Sequence, residues 1–121
     1  MSRYEDLDVW KLAHEFVLEI YTLTKKYPCE ERYRLIDQIC RASSSVAMNI
    51  AEGTGRRTQK DFLNFLYIAR GSLQETKYQL LLSRDLKFIS NEDYEQVIEK
   101  AYTVGRLLNG LINKIGGNQD A

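Results

Sequence analysis

A chain of 121 residues, 44% hydrophobic and 28% charged, has the length of one domain and the composition of an ordinary globular one. Folding a chain of this size removes roughly two-thirds of the unfolded surface from water, which supports one core without disulfide or metal staples. Its 17 basic residues balance 17 acidic ones, which excludes a general polyanion-binding footprint and requires any such surface to be local.

The opening MSRYEDLDVW lacks the apolar run of a secretory signal, and no stretch is apolar over a membrane-spanning length. These features predict a cytoplasmic protein with no membrane partner. The first amphipathic segment carries Val9, Leu12, Ala13, Phe16, Val17, Ile20, Leu23 and Thr24 on one side, with Lys11, Glu15 and Glu19 opposite. That period is helical, with Asp8 as its N-cap and Pro28 ending it. A second helix is expected from Cys29–Glu31, where acidic residues complement the dipole, to about Glu52, before Gly53. Its inward positions are Leu35, Ile36, Ile39, Ala42, Ser43, Val46, Ala47, Asn49 and Ile50. Between Ala42 and Ala47 the side chains are small enough to admit a neighbouring backbone, for which Gly71 and Ser72 are the candidates.

Thr58 and Asp61 form a variant capping box that starts a third helix at Gln59, running to about Lys87. Phe62, Phe65, Leu66, Ile68, Ala69, Leu73, Leu80, Leu82 and Leu86 make its expected apolar face. Ser90 with Asp93 repeats the signal for a fourth helix, whose stripe of Tyr94, Val97, Ile98, Ala101, Val104, Leu108, Leu111, Ile112 and Ile115 stops at Gly116-Gly117. Four such segments, short connections and no two-residue alternation predict an all-α, up-down-up-down four-helix bundle. One domain spans 1–116, and 117–121 form a frayed tail.

Catalytic and metal signatures are missing from this pattern. His14 is the only histidine, so the Glu-x-x-His pairs of a di-iron bundle cannot be assembled, and it reads as a partly exposed helical residue. Cys29 and Cys40 cannot make a zinc site; Cys40 reads as a small buried hydrophobe and Cys29 as a turn residue. The GTGRR segment lacks the strand and the Lys-Ser/Thr of a phosphate cradle. Ser43, Ser44 and Ser45 have no base in evident reach except Arg41. The chain is read as a non-enzyme with no cofactor.

Polar residues on apolar stripes are more informative. Asn49 lies one heptad beyond Ala42, and Glu75 lies a heptad from both Ile68 and Leu82, so both are placed in a polar core or an interface with Arg41 and Glu52. Antiparallel register brings Glu75 within reach of Arg41, the favoured inter-helix ion pair. The same topology gathers Arg3, Lys11, Arg56, Arg57, Lys60 and Lys114 at one end of the bundle, beside Glu5, Asp6, Asp8, Glu52 and Asp61. Tyr67 shares an outer stripe with Leu63, Arg70 and Gln74, a composition suited to self-association through the second and third helices.

Three segments in order, DLDVWKLAHEFVLEIYTLTKKYP, QICRASSSVAMNIAEGTGRR and DFLNFLYIARGSLQET, resemble the four-helix-bundle proteins encoded by intervening sequences within 23S rRNA genes. The chain is also similar to the wider group that includes the accessory variability determinant proteins of diversity-generating retroelements. The resemblance implies a left-handed bundle assembled as a ring-like homopentamer. Its retroelement branch implies binding to RNA or DNA and to a reverse transcriptase, with Arg56, Arg57, Lys60 and Arg70 meeting phosphates. The other reading is an oligomeric protein scaffold that binds no nucleic acid. A small ligand held at the ring's centre by Arg41, Asn49 and Glu75 is a third.

Overall fold

Local capping chemistry sets where the long helices begin. In the computed structural model, which describes residues 3–117, α1 spans Asp8–Leu23, α2 Asp37–Thr54, α3 Gln59–Asp85 and α4 Asn91–Gly116. Thr58 Oγ1 accepts the Asp61 N–H at 3.1 Å, and Ser90 Oγ accepts that of Asp93 at 3.0 Å, satisfying donors that a helix start leaves unpaired. The α1 start differs from expectation. Leu7 is the N-cap residue, and Asp8 is the first helical residue, placing its carboxylate in the first turn instead of on the cap.

Helix α1 gives way at Thr24–Lys26 to a 3-10 turn, and Pro28 follows in extended backbone. The second helix starts later than its composition suggests. Cys29–Glu31 form another 3-10 turn and Arg32–Ile36 a wide π-type turn, within which Arg34 leaves the helical region at φ −118°, ψ −106°. The wide turn resets the phase of the chain, turning Leu35 into the core while Tyr33 stays 85% exposed.

At the other end of α2, Gly53 lies inside the helix instead of after it, because the α2–α3 hairpin closes tightly there. A Cβ on Gly53 would sit 2.7 Å from Phe62 Cδ1 and 3.0 Å from Phe65 Cβ. Helix α3 stops two residues before Lys87. Lys87 takes φ 66°, its N–H bonds Arg84 O at 2.9 Å, and the Phe88 N–H bonds Ser83 O at 2.9 Å. Such a paired, left-handed exit ordinarily takes glycine.

Each helix packs on two others: α2 against α1 and α3, α4 against α3 and α1. The up-down-up-down four-helix bundle follows. Its centre is filled by Phe16, Ile20, Ile39, Ile50, Leu66, Leu73, Leu80 and Leu108, all without appreciable exposure, each contributing about 1.5–3 kcal/mol by leaving water. Among the described residues no helix is long and apolar enough to cross a membrane. The expected frayed tail beyond residue 117 lies outside the described residues.

The buried stripe of α3 departs from its apolar reading. Leu63, Leu66, Ala69, Leu73, Thr76, Gln79, Leu80 and Ser83 face inward, while Ile68 and Leu86, expected in the core, are 51% and 50% exposed. Polar groups occupy inward positions because most find partners within the helix. Thr76 Oγ1 donates to Ser72 O at 2.8 Å, and Ser83 Oγ donates to Gln79 O at 2.7 Å. Tyr27, buried beside them, donates to Ser83 Oγ at 2.6 Å. Burial pushes the Tyr27 hydroxyl above the usual phenol range.

Candidate nucleic-acid interface

The turn between α2 and α3 lies at the same end of the bundle as the start of α1. Arg3, Tyr4, Glu5, Thr54, Gly55, Arg56 and Arg57 line an open depression there. A second one is formed by Arg56, Arg57, Thr58, Gln59, Phe62 and Ile115. The arginines are not equivalent. Arg3 pairs with Glu5 at 3.1 Å, and Arg56 reaches Glu52 Oε2 at 3.4 Å with its guanidinium 4.5 Å over the Phe65 ring. Arg57 and Lys60 are exposed with no carboxylate within 4 Å among the described residues. Lys11 and Lys114, at the same end, are likewise exposed with no carboxylate within 4 Å among the described residues.

Arg70 does not join them. Ten residues of helix separate it from Lys60, about 15 Å along α3, and its Nη1 donates to Asn109 Oδ1 on α4 at 3.3 Å. Its position belongs to a different array. Arg70, Lys77 and Arg84 recur every seven residues on the α4 side of α3, and each meets a residue of α4 in antiparallel register. Arg70 meets Asn109, the Lys77 ammonium lies 4.8 Å over the Tyr102 ring, and the Arg84 guanidinium lies 4.6 Å over Tyr94. Tyr67 completes the first rung, its ring 5.1 Å from Arg70. Gly105 lies beside the middle one, where a Cβ would stand in ordinary contact, 3.9 Å from Lys77 Nζ and 3.4 Å from Leu73 Cδ2. Partial burial pulls the Lys77 ammonium below the usual lysine range. Sequence reasoning put Arg70 and Tyr67 on an outer stripe and Tyr94 on the apolar face of the fourth helix without joining them, although the seven-residue spacing of the three cations is visible in the sequence.

The α2–α3 seam is polar, as the small residues of α2 suggest. Ser45 Oγ and Ser72 Oγ lie 2.8 Å apart, and Asn49 Nδ2 donates to Ser45 O at 2.7 Å and to Ser45 Oγ at 2.9 Å. Asn49 is therefore half-buried and satisfied largely within its own helix. Gly71 does not make the close approach, having open space around it. The expected Arg41–Glu75 ion pair does not form. Arg41 is 80% exposed and pairs one turn away with Asp37 at 3.2 Å. Glu75 points outward and accepts from Gln79 Nε2 at 3.5 Å. Each charge thus keeps its hydration and a neighbour on its own helix, which avoids the cost of burying both. Glu52 likewise sits on the surface with Arg56. Arg41, Asn49, Glu52 and Glu75 are consequently not one buried network within this protomer. In the same seam, Gln79 Oε1 is buried without a hydrogen-bond partner.

On the α1–α2 side, Trp10 stacks on His14 with ring centres 5.1 Å apart and planes within 5°, and Tyr4 meets Trp10 edge-on. The histidine is exposed and belongs to an aromatic surface cluster. Cys40 is half-buried, its thiol raised above the usual range by burial, whereas Cys29 is exposed.

Across residues 5–110 the chain matches the family described as 23S rRNA-intervening sequence protein. The chain belongs to that family. A solved structure from Bacteroides thetaiotaomicron VPI-5482, a protein of unknown function from the S23 ribosomal protein family, is similar at 30% identity with a TM-score of 0.81. The match covers 87% of this chain and 95% of that one. Among curated proteins none matches. The likeness to that solved structure agrees with the four-helix bundle described above.

Proposed function

We propose that this protein is a non-catalytic, homo-oligomeric accessory factor, a ring-like pentamer that binds RNA or DNA through Arg56, Arg57 and Lys60. The observation that carries this reading is the exposure of Arg57 and Lys60 beside the Arg3–Arg56 depression, with no carboxylate within 4 Å of either among the described residues. One such patch is modest on a chain of formal charge zero. Repeated around a ring it becomes a continuous positive face, which raises both encounter rate and affinity for a polyanion. Exposed Ile68 and Met48 on α3 and α2 supply apolar area for contact between copies.

The alternative is an oligomeric scaffold whose partner is another protein, such as a reverse transcriptase. It is favoured by the Glu52–Arg56 and Glu5–Arg3 pairs, which neutralise part of the same end. Sedimentation analysis, followed by anisotropy titration of a structured RNA and a matched DNA duplex at two salt concentrations, separates the two. Salt-sensitive binding that is lost in Arg56→Glu/Arg57→Glu supports the accessory role. Retention of RNA by that variant, or no binding at low salt, rejects it in favour of the scaffold.

A further inference from the structure

We infer that the groove between α3 and α4 is a track for single-stranded nucleic acid, separate from the bundle end. Three cations, Arg70, Lys77 and Arg84, stand in line along it, about 10.5 Å apart at 1.5 Å per residue. A tyrosine ring accompanies each one: Tyr67 at Arg70, Tyr102 at Lys77 and Tyr94 at Arg84. Arg70 and Lys77 have no carboxylate within 4 Å among the described residues. Arg106, on the same side of α4, is bonded only to the Thr103 hydroxyl. Phosphates would find three cations here that need not first leave an ion pair.

The rings decide which polyanion fits. Tyr67 and Tyr102 are 44% and 50% exposed, so each has aromatic surface left after its cation contact. Unpaired bases can stack on such a surface, whereas the bases of a duplex are already stacked and out of reach. An acidic peptide would satisfy the cations but makes no use of a ring at every rung. The straight, single-file arrangement also suits one backbone better than two. Carboxylates border the track unevenly. Asp85 pairs with Arg84 at 3.1 Å, and Glu95 lies close enough to Tyr94 to affect its titration; Glu99, one heptad before Arg106, shares its face of α4. The strongest part is thus the Arg70–Lys77–Arg106 portion, nearer the Arg57–Lys60 end. A strand bound at that end can continue into the groove.

The test is anisotropy of a labelled oligouridylate, with a duplex of equal length and polyglutamate as competitors, on the intact oligomer. Arg70→Gln/Lys77→Gln is expected to weaken single-strand binding and to reduce the salt slope by about 1.4, at roughly 0.7 per lost phosphate contact. Tyr67→Leu/Tyr102→Leu is expected to weaken it at least about thirtyfold with an unchanged slope, as loss of stacking at two rings requires. The bundle-end variant Arg57→Glu/Lys60→Glu should keep the preference for single strands over duplex. Circular dichroism confirms that each variant is folded. Unchanged affinity in both groove variants overturns the proposal, as does tighter binding of duplex than of single strand. Displacement by polyglutamate with indifference to the tyrosine changes assigns the groove to an acidic protein and overturns it too. If structured RNA binds through the bundle end while oligouridylate does not bind at low salt, the groove assignment alone fails.

Discussion

Gly53 and Gly71 lie in helices that face each other, and alanine should have opposite effects at the two positions. In an exposed helix interior, Gly→Ala stabilises by about 0.8–1 kcal/mol, because glycine gives up more backbone freedom on folding. Gly71 has no atom within 4 Å of a new Cβ, so Gly71→Ala should realise that gain. Gly53 meets Phe62 Cδ1 at 2.7 Å and Phe65 Cβ at 3.0 Å. The Phe62 ring can swing, but Phe65 Cβ is fixed to the α3 backbone, and relief requires the two helices to part. Overpacking of this kind costs about 1–3 kcal/mol, leaving Gly53→Ala roughly 1 kcal/mol less stable than wild type and roughly 2 kcal/mol below Gly71→Ala. Urea unfolding followed by circular dichroism measures both, with Gly110→Ala as a second open-space control. The comparison holds where sedimentation shows the same oligomer and the m-value is unchanged. A Gly53→Ala protein as stable as Gly71→Ala would refute the close approach at the α2–α3 turn.

Three further outcomes are expected. Tyr27→Phe removes the 2.6 Å bond to Ser83 and should destabilise by about 1–2 kcal/mol at pH 7, read from the urea midpoint. Because burial raises the folded-state pKa of Tyr27, wild type binds the phenolic proton more tightly than its unfolded chain does; its stability is full below about pH 10 and falls as pH rises through the folded value. The Phe variant should lose less stability over that alkaline range, and an equal loss would count against the buried hydroxyl. Lys87→Gly should raise the melting temperature by several degrees, since a left-handed non-glycine residue costs about 1 kcal/mol; an unchanged melting curve would contradict that backbone. With a thiol reagent at neutral pH, Cys29 should react first and Cys40 slowly, so Cys29→Ser should abolish the fast phase seen by mass spectrometry.

Short-range chemistry was readable from the sequence. Thr58 and Ser90 cap the helices they appear to cap, because an N-cap depends on three neighbouring residues and little else. The face of α3 was only partly readable. Over 27 residues the helical phase drifts, and Thr76 and Ser83 are inward residues whose hydroxyls bond carbonyls four residues back. Such positions look like solvent-facing ones, and the apolar Ile68 and Leu86 look like core. Errors of phase also explain Arg41 and Glu75. They were paired by counting along antiparallel helices from the turn at residues 53–57, which sets height along the axis but not the direction in which each side chain faces. A side chain's partner on another helix depends on two phases at once, so it is the first thing such an error removes. Local pairing, Asp37 with Arg41 and Glu52 with Arg56, survives because it needs one phase only.

The rungs joining α3 to α4 constrain how this fold can change in length. Adding one residue to α3 between Lys77 and Arg84 would turn Arg84 by about 100° and carry it off Tyr94. Adding seven would restore its direction and leave space for one more rung, provided α4 grew by the same amount. The helix pair therefore tolerates insertions and deletions in whole heptads made on both helices together.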